Sequence, residues 1–411
     1  MVDNKTYWSP SRTYEFKVKV GSYDLTNDLI SLNIITSVDL PYQTFLMTFF
    51  VDPVDFITEE IFGQKPIHLT SYLLGTEQIP LETIDFELMY LNSNMDMQTQ
   101  IQDPSTQQKD RTQITISAVS RSAYITMNTI VNSIYQGGLV QHAINSLIGS
   151  VGASIEYDPN GRNDQTIDQI LVPPSTLYKT LKYINRTWGI YNGASAIYCS
   201  YDNFVHIKNM TNKMAQAQTF TLYQLATDSD NTETIDKCND GKHFYTTTPL
   251  TTKYEGNSVF ALLAPRQIYI VKPRDRLFQN INVNLESFAK EYGLISKNNT
   301  IFFDKQALKT DTRTSIHKDH TGYEVDSTFI NGNMSEKIAG VTELNASIER
   351  SIKILNLMNV GECVLVTSRT SDQDRLAGKY ILRTSEIRFN KSKDWESSAV
   401  MNLMRTNRVI N

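Results

Sequence analysis

The sequence predicts an α+β fold, mainly β, with two similar antiparallel β-barrel modules, an α/β domain between them and an inserted α/β domain. Three observations predict it. The last fifty residues hold three strand-like runs separated by turn residues. A trio of matching layout stands near the start. Between the two trios the apolar period lengthens from two residues to the three-to-four of a helix.

In the closing trio, Gly361 opens Cys363-Val364-Leu365-Val366, Gly378 opens the run Tyr380-Ile381-Leu382 through Phe389, and Ala399-Val400-Met401 leads to Met404. β-branched and aromatic types fill these runs. Asp372, Asp374, Gly378, Asn390, Lys391 and Asp394 occupy the joins and favour turns, so the stretch reads as a three-stranded meander. In the first trio, Gly63-Gln64-Lys65-Pro66 leads into a short strand ending in Thr70-Ser71. Ile84, Phe86 and Leu88 then alternate with Asp85 and Glu87, and residues 113–119 close the set. One module repeated twice explains the match, with Ile84, Phe86 and Leu88 filling the first as Ile381, Ile387 and Phe389 fill the second. Coincidence explains it too, because meanders recur in β-rich chains.

A chain of 411 residues is long enough for several cores, and 40% apolar with 20% charged residues describes a globular protein. The net charge of −5 argues against a general nucleic-acid binder. The basic groups Lys179, Lys182, Arg186 and Lys272, Arg274, Arg276 read as solvated faces. Cys199, Cys238 and Cys363 are odd in number and widely spaced, so they read as reduced thiols. The first residues lack a signal-like apolar core, and the longest apolar run, residues 259–264, is too short to span a bilayer.

In chain order, residues 1–122 form the first barrel. Tyr14, Phe16, Val18 and Val20 alternate with charged residues, and Phe45, Met47, Phe49 and Val51 repeat the pattern. With the trio these make five strands, one short of closing a small barrel. Residues 92–110 read as a long loop. Residues 123–210 form the α/β domain. Ala143, Ile144, Leu147 and Ile148 share a helical face; Pro173-Pro174-Ser175 stops one element and caps a helix carrying Leu177, Leu181, Ile184 and Trp188, which Gly189 ends. A hairpin with Asp202-Asn203 at its tip follows. Residues 211–261 and 341–411 make the second barrel, with strands at 219–223 and 243–247. Around Ile348, Ile352 and Leu355 periodicity fits both helix and strand. The inserted domain, residues 262–340, contains a strand at 267–271, a helix at 285–292 and polar loops at 297–299 and 331–333.

Chemistry-bearing motifs are sparse. The sequence has no phosphate-binding Gly loop, no His-Glu-x-x-His, no Gly-x-Ser-x-Gly and no Cys-x-x-Cys. His317, Asp319 and His320 are the best metal candidates but lack a second cluster. Asp158 to Asp164 places its Gly at the wrong offset for a calcium loop and reads as an exposed turn. Asp85 and Glu87 resemble a glycosidase pair only until their alternation with apolar residues marks them as the wet face of a strand. No catalytic residue, cofactor or metal ligand is assigned.

The C-terminal order of short strand, Gly-Lys-Tyr-Ile-Leu strand, hairpin and closing strand ending in Arg405 resembles the baseplate hub subunit of T-even-type contractile-tailed phages. So does the helix beginning Ser175-Thr176-Leu177 with its Asp202-Asn203 hairpin. Related modules form the head of type VI secretion spikes. The resemblance implies a homotrimer whose two tail-tube-like barrels per subunit give six modules around a channel. One side would meet the tail tube protein and the other the central spike protein, with contacts to other baseplate or tape-measure proteins. It also implies a virion location in the tail baseplate after synthesis in the host cytoplasm. DNA would pass through the channel without specific binding, and no part would insert into a membrane. A second reading is a virion-associated cell-wall hydrolase or carbohydrate-binding module, which a concave cluster of carboxylates and aromatics would mark.

Overall fold

The computed structural model describes residues 14–51, 63, 65–75, 79–96, 112–158, 166–191, 195–210, 218–225, 238, 240–254, 266–272, 277–283, 313–318, 342–349, 353–368, 376–392 and 394–405. The fold is mainly β. In the first region the strands are β1 (Tyr14–Val20), β2 (Tyr23–Asp24), β3 (Leu29–Ser37), β4 (Thr44–Val51), β5 (Ile67–Leu74), β6 (Pro80–Asp96) and β7 (Thr112–Ser120). The strict buried–exposed alternation of β1 follows from Tyr14, Phe16, Val18 and Val20 turning inward. Each such buried side chain contributes about 1.5–3 kcal/mol.

The middle region holds α1 (Arg121–Asn128), β8 (Ile130–Leu139), α2 (Val140–Ser150), β9 (Ser154–Tyr157), β10 (Thr166–Thr176), α3 (Leu177–Trp188), β11 (Ser195–Cys199) and β12 (Phe204–Asn209). Leu177, Leu181, Ile184 and Trp188 of α3 pack with Ala143, Ile144 and Leu147 of α2 in one core. The cap of α3 is Thr176 rather than Ser175, whose hydroxyl instead meets Thr180 Oγ1 at 2.7 Å. Gly189 ends the helix at φ 73°, a left-handed value that costs glycine little. β8 pairs with β10, while β12 pairs with β11 antiparallel and β9 parallel.

Beyond these lie β13 (Phe220–Gln224), β14 (His243–Thr246), β15 (Thr251–Tyr254), β19 (Thr342–Glu349), β20 (Cys363–Ser368), β21 (Gly378–Lys391) and β22 (Trp395–Arg405). Around Ile348 the chain is strand, and a 3-10 turn follows at Ile354–Met358. Between β15 and β19, strands β16 (Arg266–Lys272), β17 (Leu277–Val283) and β18 (Arg313–Lys318) form a separate sheet, ordered β17-β16-β18. The helix expected at 285–292 and the loops at 297–299 and 331–333 lie outside the described residues.

The outer strands of both regions join one fourteen-stranded sheet, ordered β14-β13-β20-β21-β3-β4-β7-β6-β5-β1-β22-β19-β15, with β2 paired to β1 off this path. Because β21 also pairs with β22, the pairings β21-β3-β4-β7-β6-β5-β1-β22 return to β21 and close a ring. Phe16, Leu32, Phe45, Phe86, Ile387 and Phe389 share a single core across both regions.

Two runs of this sheet correspond pair by pair. The antiparallel order β3-β4-β7-β6-β5 has its counterpart in β15-β19-β22-β21-β20. Each long central strand carries one bulge against its closing neighbour, at Leu91 between Tyr90 and Asn92 in β6 and at Arg383 between Leu382 and Thr384 in β21. With the bulges aligned, Ile67-His68-Leu69-Thr70-Ser71 falls on Val364-Leu365-Val366-Thr367-Ser368 through the pairs Ile67↔Leu88 and Val364↔Tyr380. Phe45 likewise falls on Leu344, both fully buried. The correspondence stops at the next strand out, where β1 meets β5 antiparallel but β13 meets β20 parallel.

Two further expectations are corrected. The first part of the loop assigned to 92–110 is strand, because β6 continues to Asp96 with Asp96 opposite Gln113; residues 97–110 lie outside the described residues. Ladder pairing overrides the weak strand propensity of Asn92, Ser93 and Asn94. Residues 29–37 are the strand missing from the five read in sequence, their buried positions broken by the β3–β4 bulge.

Candidate assembly interface

The seam between the two ladders is where β21 pairs with β3, from Thr384↔Ser37 to Asn390↔Ser31. The β21 bulge turns Arg383 out of the ladder, so its guanidinium reaches two carboxylates. Nε donates to Asp39 Oδ2 at 2.7 Å, and Nη1 donates to Glu343 Oε1. Burial works against the cation, but Asp39 and Glu343 together hold its pKa above the usual arginine value. Asn33 Nδ2 donates to Glu386 Oε1 at 2.9 Å across the same seam. Beneath it, Phe389 lies edge-on to Tyr14 and Phe16 at 5.0 and 4.9 Å, and Phe16 lies edge-on to Trp395 at 4.9 Å. Such aromatic pairs add about 0.5–1.5 kcal/mol each beyond their buried area.

Gln43 ties the middle unit to both ladders. Fully buried, it donates from Nε2 to the Met358 carbonyl at 3.0 Å and accepts from the Tyr201 N–H at 2.8 Å. Tyr198 Oη donates to the Val360 carbonyl at 3.0 Å. Lys208, largely buried, lies 3.5 Å from Glu156 and 3.6 Å from Glu362.

Beside Lys208 stands a cluster that the sequence reading missed. His206 Nε2 lies 2.7 Å from Ser200 Oγ, and His206 Nδ1 lies 2.5 Å from Glu156 Oε2 without hydrogen-bond geometry. The connections follow the serine–histidine–carboxylate order of hydrolases. The proton placement does not. Ser200 Oγ donates its only proton to Asp202 Oδ1, and Nε2 also faces Asp202 at 3.3 Å. The serine proton is thus held by a carboxylate, not aimed at the ring, and Ser200 is 2% exposed. Burial opposes ionisation of Asp202, yet bonds from His206 and Ser200 hold its pKa below the usual carboxylate value. The Ser200, Asp202 and His206 spacing around an Asp-Asn turn was the available signal.

The residues considered from sequence are scattered. Asp85 is exposed and accepts from Thr70 Oγ1 at 2.7 Å, while Glu87 lies 3.5 Å from Arg121, so both sit on the wet face of β6. Asp158 is buried and accepts from the Asn209 N–H at 2.7 Å, while the rest of the stretch read as an exposed turn, residues 159–164, lies outside the described residues. His317 lies within β18 opposite Ile270, not in a loop; Asp319 and His320 lie outside the described residues. Among the described residues no group of three or more His, Cys, Asp or Glu is placed to hold a metal. Lys179 is exposed, and Lys182 Nζ sits 5.1 Å over the Tyr178 ring. Arg186, Arg274 and Arg276 have no described side chains. All three cysteines are buried.

Among solved structures, the tail protein from Neisseria meningitidis MC58 aligns over 96% of this chain and 97% of its own, at 10% identity and TM-score 0.57. The chain shares the fold of this tail protein. The 43 kDa tail protein of prophage MuSo2 from Shewanella oneidensis agrees, at 9% identity and TM-score 0.56 over 96% and 99% of the two chains. A chain of the lidless PdpA–VgrG complex aligns at 9% identity and TM-score 0.51, over 96% of this chain and 65% of that one. Residues 77–244 match the family described as Bacteriophage PBS1 gene 109 protein, less than half of the chain. No curated protein matches.

Proposed function

We propose that the chain is a structural, non-enzymatic subunit of a virion tail: a baseplate hub that acts as a homotrimer, joins a hexameric tail tube to a trimeric central spike and lines the genome channel. The correspondence of the two ladders carries this reading. A three-fold ring presents six similar surfaces to a six-fold tube only if each subunit holds two equivalent modules. The shared fold with tail proteins supports the virion location, with synthesis in the host cytoplasm. Division into residues 1–122, 123–210, 211–261 with 341–411, and 262–340, with each ladder curled as a tube-like barrel, belongs to the same proposal. Other baseplate or tape-measure proteins are further partners, and DNA passes without specific binding. No described helix is long and apolar enough to cross a membrane.

Light scattering on the purified full chain tests the trimer. A mass three times the 46.8 kDa of one chain is expected, and a monomer at every concentration, with a spike protein also present, contradicts it. The alternative, a cell-wall hydrolase or carbohydrate-binding module, draws on the Ser200, His206 and Glu156 alignment alone. Peptidoglycan clearing that disappears in Ser200→Ala but persists in Asp85→Asn would favour it.

A further inference from the structure

Within one chain, the seam joins the first strand of the N-terminal ladder, β3, to the far half of the C-terminal ladder's central strand, β21, beyond the end of β20. By the bulge alignment, the counterpart of β3 is β15 and the counterpart of that half of β21 is the far half of β6. Among the described residues, β15 pairs only with β19, and β6 beyond Leu88 pairs only with β7. We propose that these two edges are the halves of an intermolecular seam: β15 of one copy pairs antiparallel with the far half of β6 in the next copy. This names the contact surface of the trimer proposed above and rests on that reading.

The in-chain seam also sets the register. Ser385↔Thr36, Glu386↔Ile35, Ile387↔Ile34 and Arg388↔Asn33 translate, through the two bulges and through Thr252↔Leu344 beside Ile34↔Phe45, into Ser93↔Tyr254, Asn94↔Lys253, Met95↔Thr252 and Asp96↔Thr251. An open strand edge is a template for another chain. A contact between two different edges is heterologous, so it propagates head to tail until rotation closes a ring. Every seam is then of one kind, whether within a chain or between chains.

Paired cysteines test this, because opposite residues on neighbouring strands lie within disulfide reach and residues two positions out of register lie beyond it. The double variants Asn94→Cys with Lys253→Cys and Met95→Cys with Thr252→Cys cover both kinds of opposite pair. Asn94→Cys with Thr251→Cys is the out-of-register control. After mild oxidation of the full-length native protein, in-register variants should run as covalent dimers and trimers on a non-reducing denaturing gel, and the control should stay a single chain. A trimer by light scattering that gives no in-register link, or links only in the control, overturns the seam while leaving the trimer intact. A chain that stays monomeric removes both.

Discussion

Arg383 joins a carboxylate from each ladder although 30% of its side chain remains exposed. Hydrogen bonds to charged groups contribute about 1.5–3 kcal/mol when buried and less at the surface, so Arg383→Gln should lower unfolding free energy by about 1–2 kcal/mol in urea titrations. Asp202 gives a pH signature. Its folded pKa lies below its unfolded value, so its contribution is complete above the ordinary carboxylate pKa and is lost as pH falls through the folded one. Between pH 7 and about pH 3, wild-type stability should therefore fall further than that of Asp202→Asn, as measured by denaturant unfolding. Burial pushes the Cys199 thiol up to about 11, so iodoacetamide at pH 8 should label it only after denaturant is added.

The central strands β6 and β21 each pair on both sides and carry the ladder bulge. Phe389 of β21 is fully buried between Tyr14 and Phe16, so Phe389→Ala should cost about 3–5 kcal/mol, read as a lower urea midpoint. The sequence made both strands legible because Phe86, Leu88, Ile387 and Phe389 alternate inward. It also made α3 legible, through its apolar stripe and Gly189. Other elements were hidden for physical reasons. The far half of β6 is Asn- and Ser-rich and becomes strand only through its partner β7. Strand β8 contains Gly137 and Gly138 and needs β10 opposite it. Helix α1 depends on Ser120 Oγ accepting from the Ala123 N–H, a cap seen only once the chain is folded. The His206 cluster stayed hidden because Glu156 comes from β9, fifty residues away, through parallel pairing.

At the scale of the whole molecule, composition constrained little beyond a globular chain, and the repeated Thr-Ser-ended strands carried most of the information. Strand pairing turns that hint into two corresponding ladders and adds what local patterns cannot hold: the seam between them. A ladder that pairs with its in-chain counterpart along one edge and exposes the same edge types at its other end suits a closed ring of alternating modules. Direct electron-microscopic imaging of the purified full-length protein tests this most directly. Class averages should show a central hole and six similar lobes contributed by three chains. A compact particle of one chain, or a ring whose lobes are not two per subunit, would contradict it.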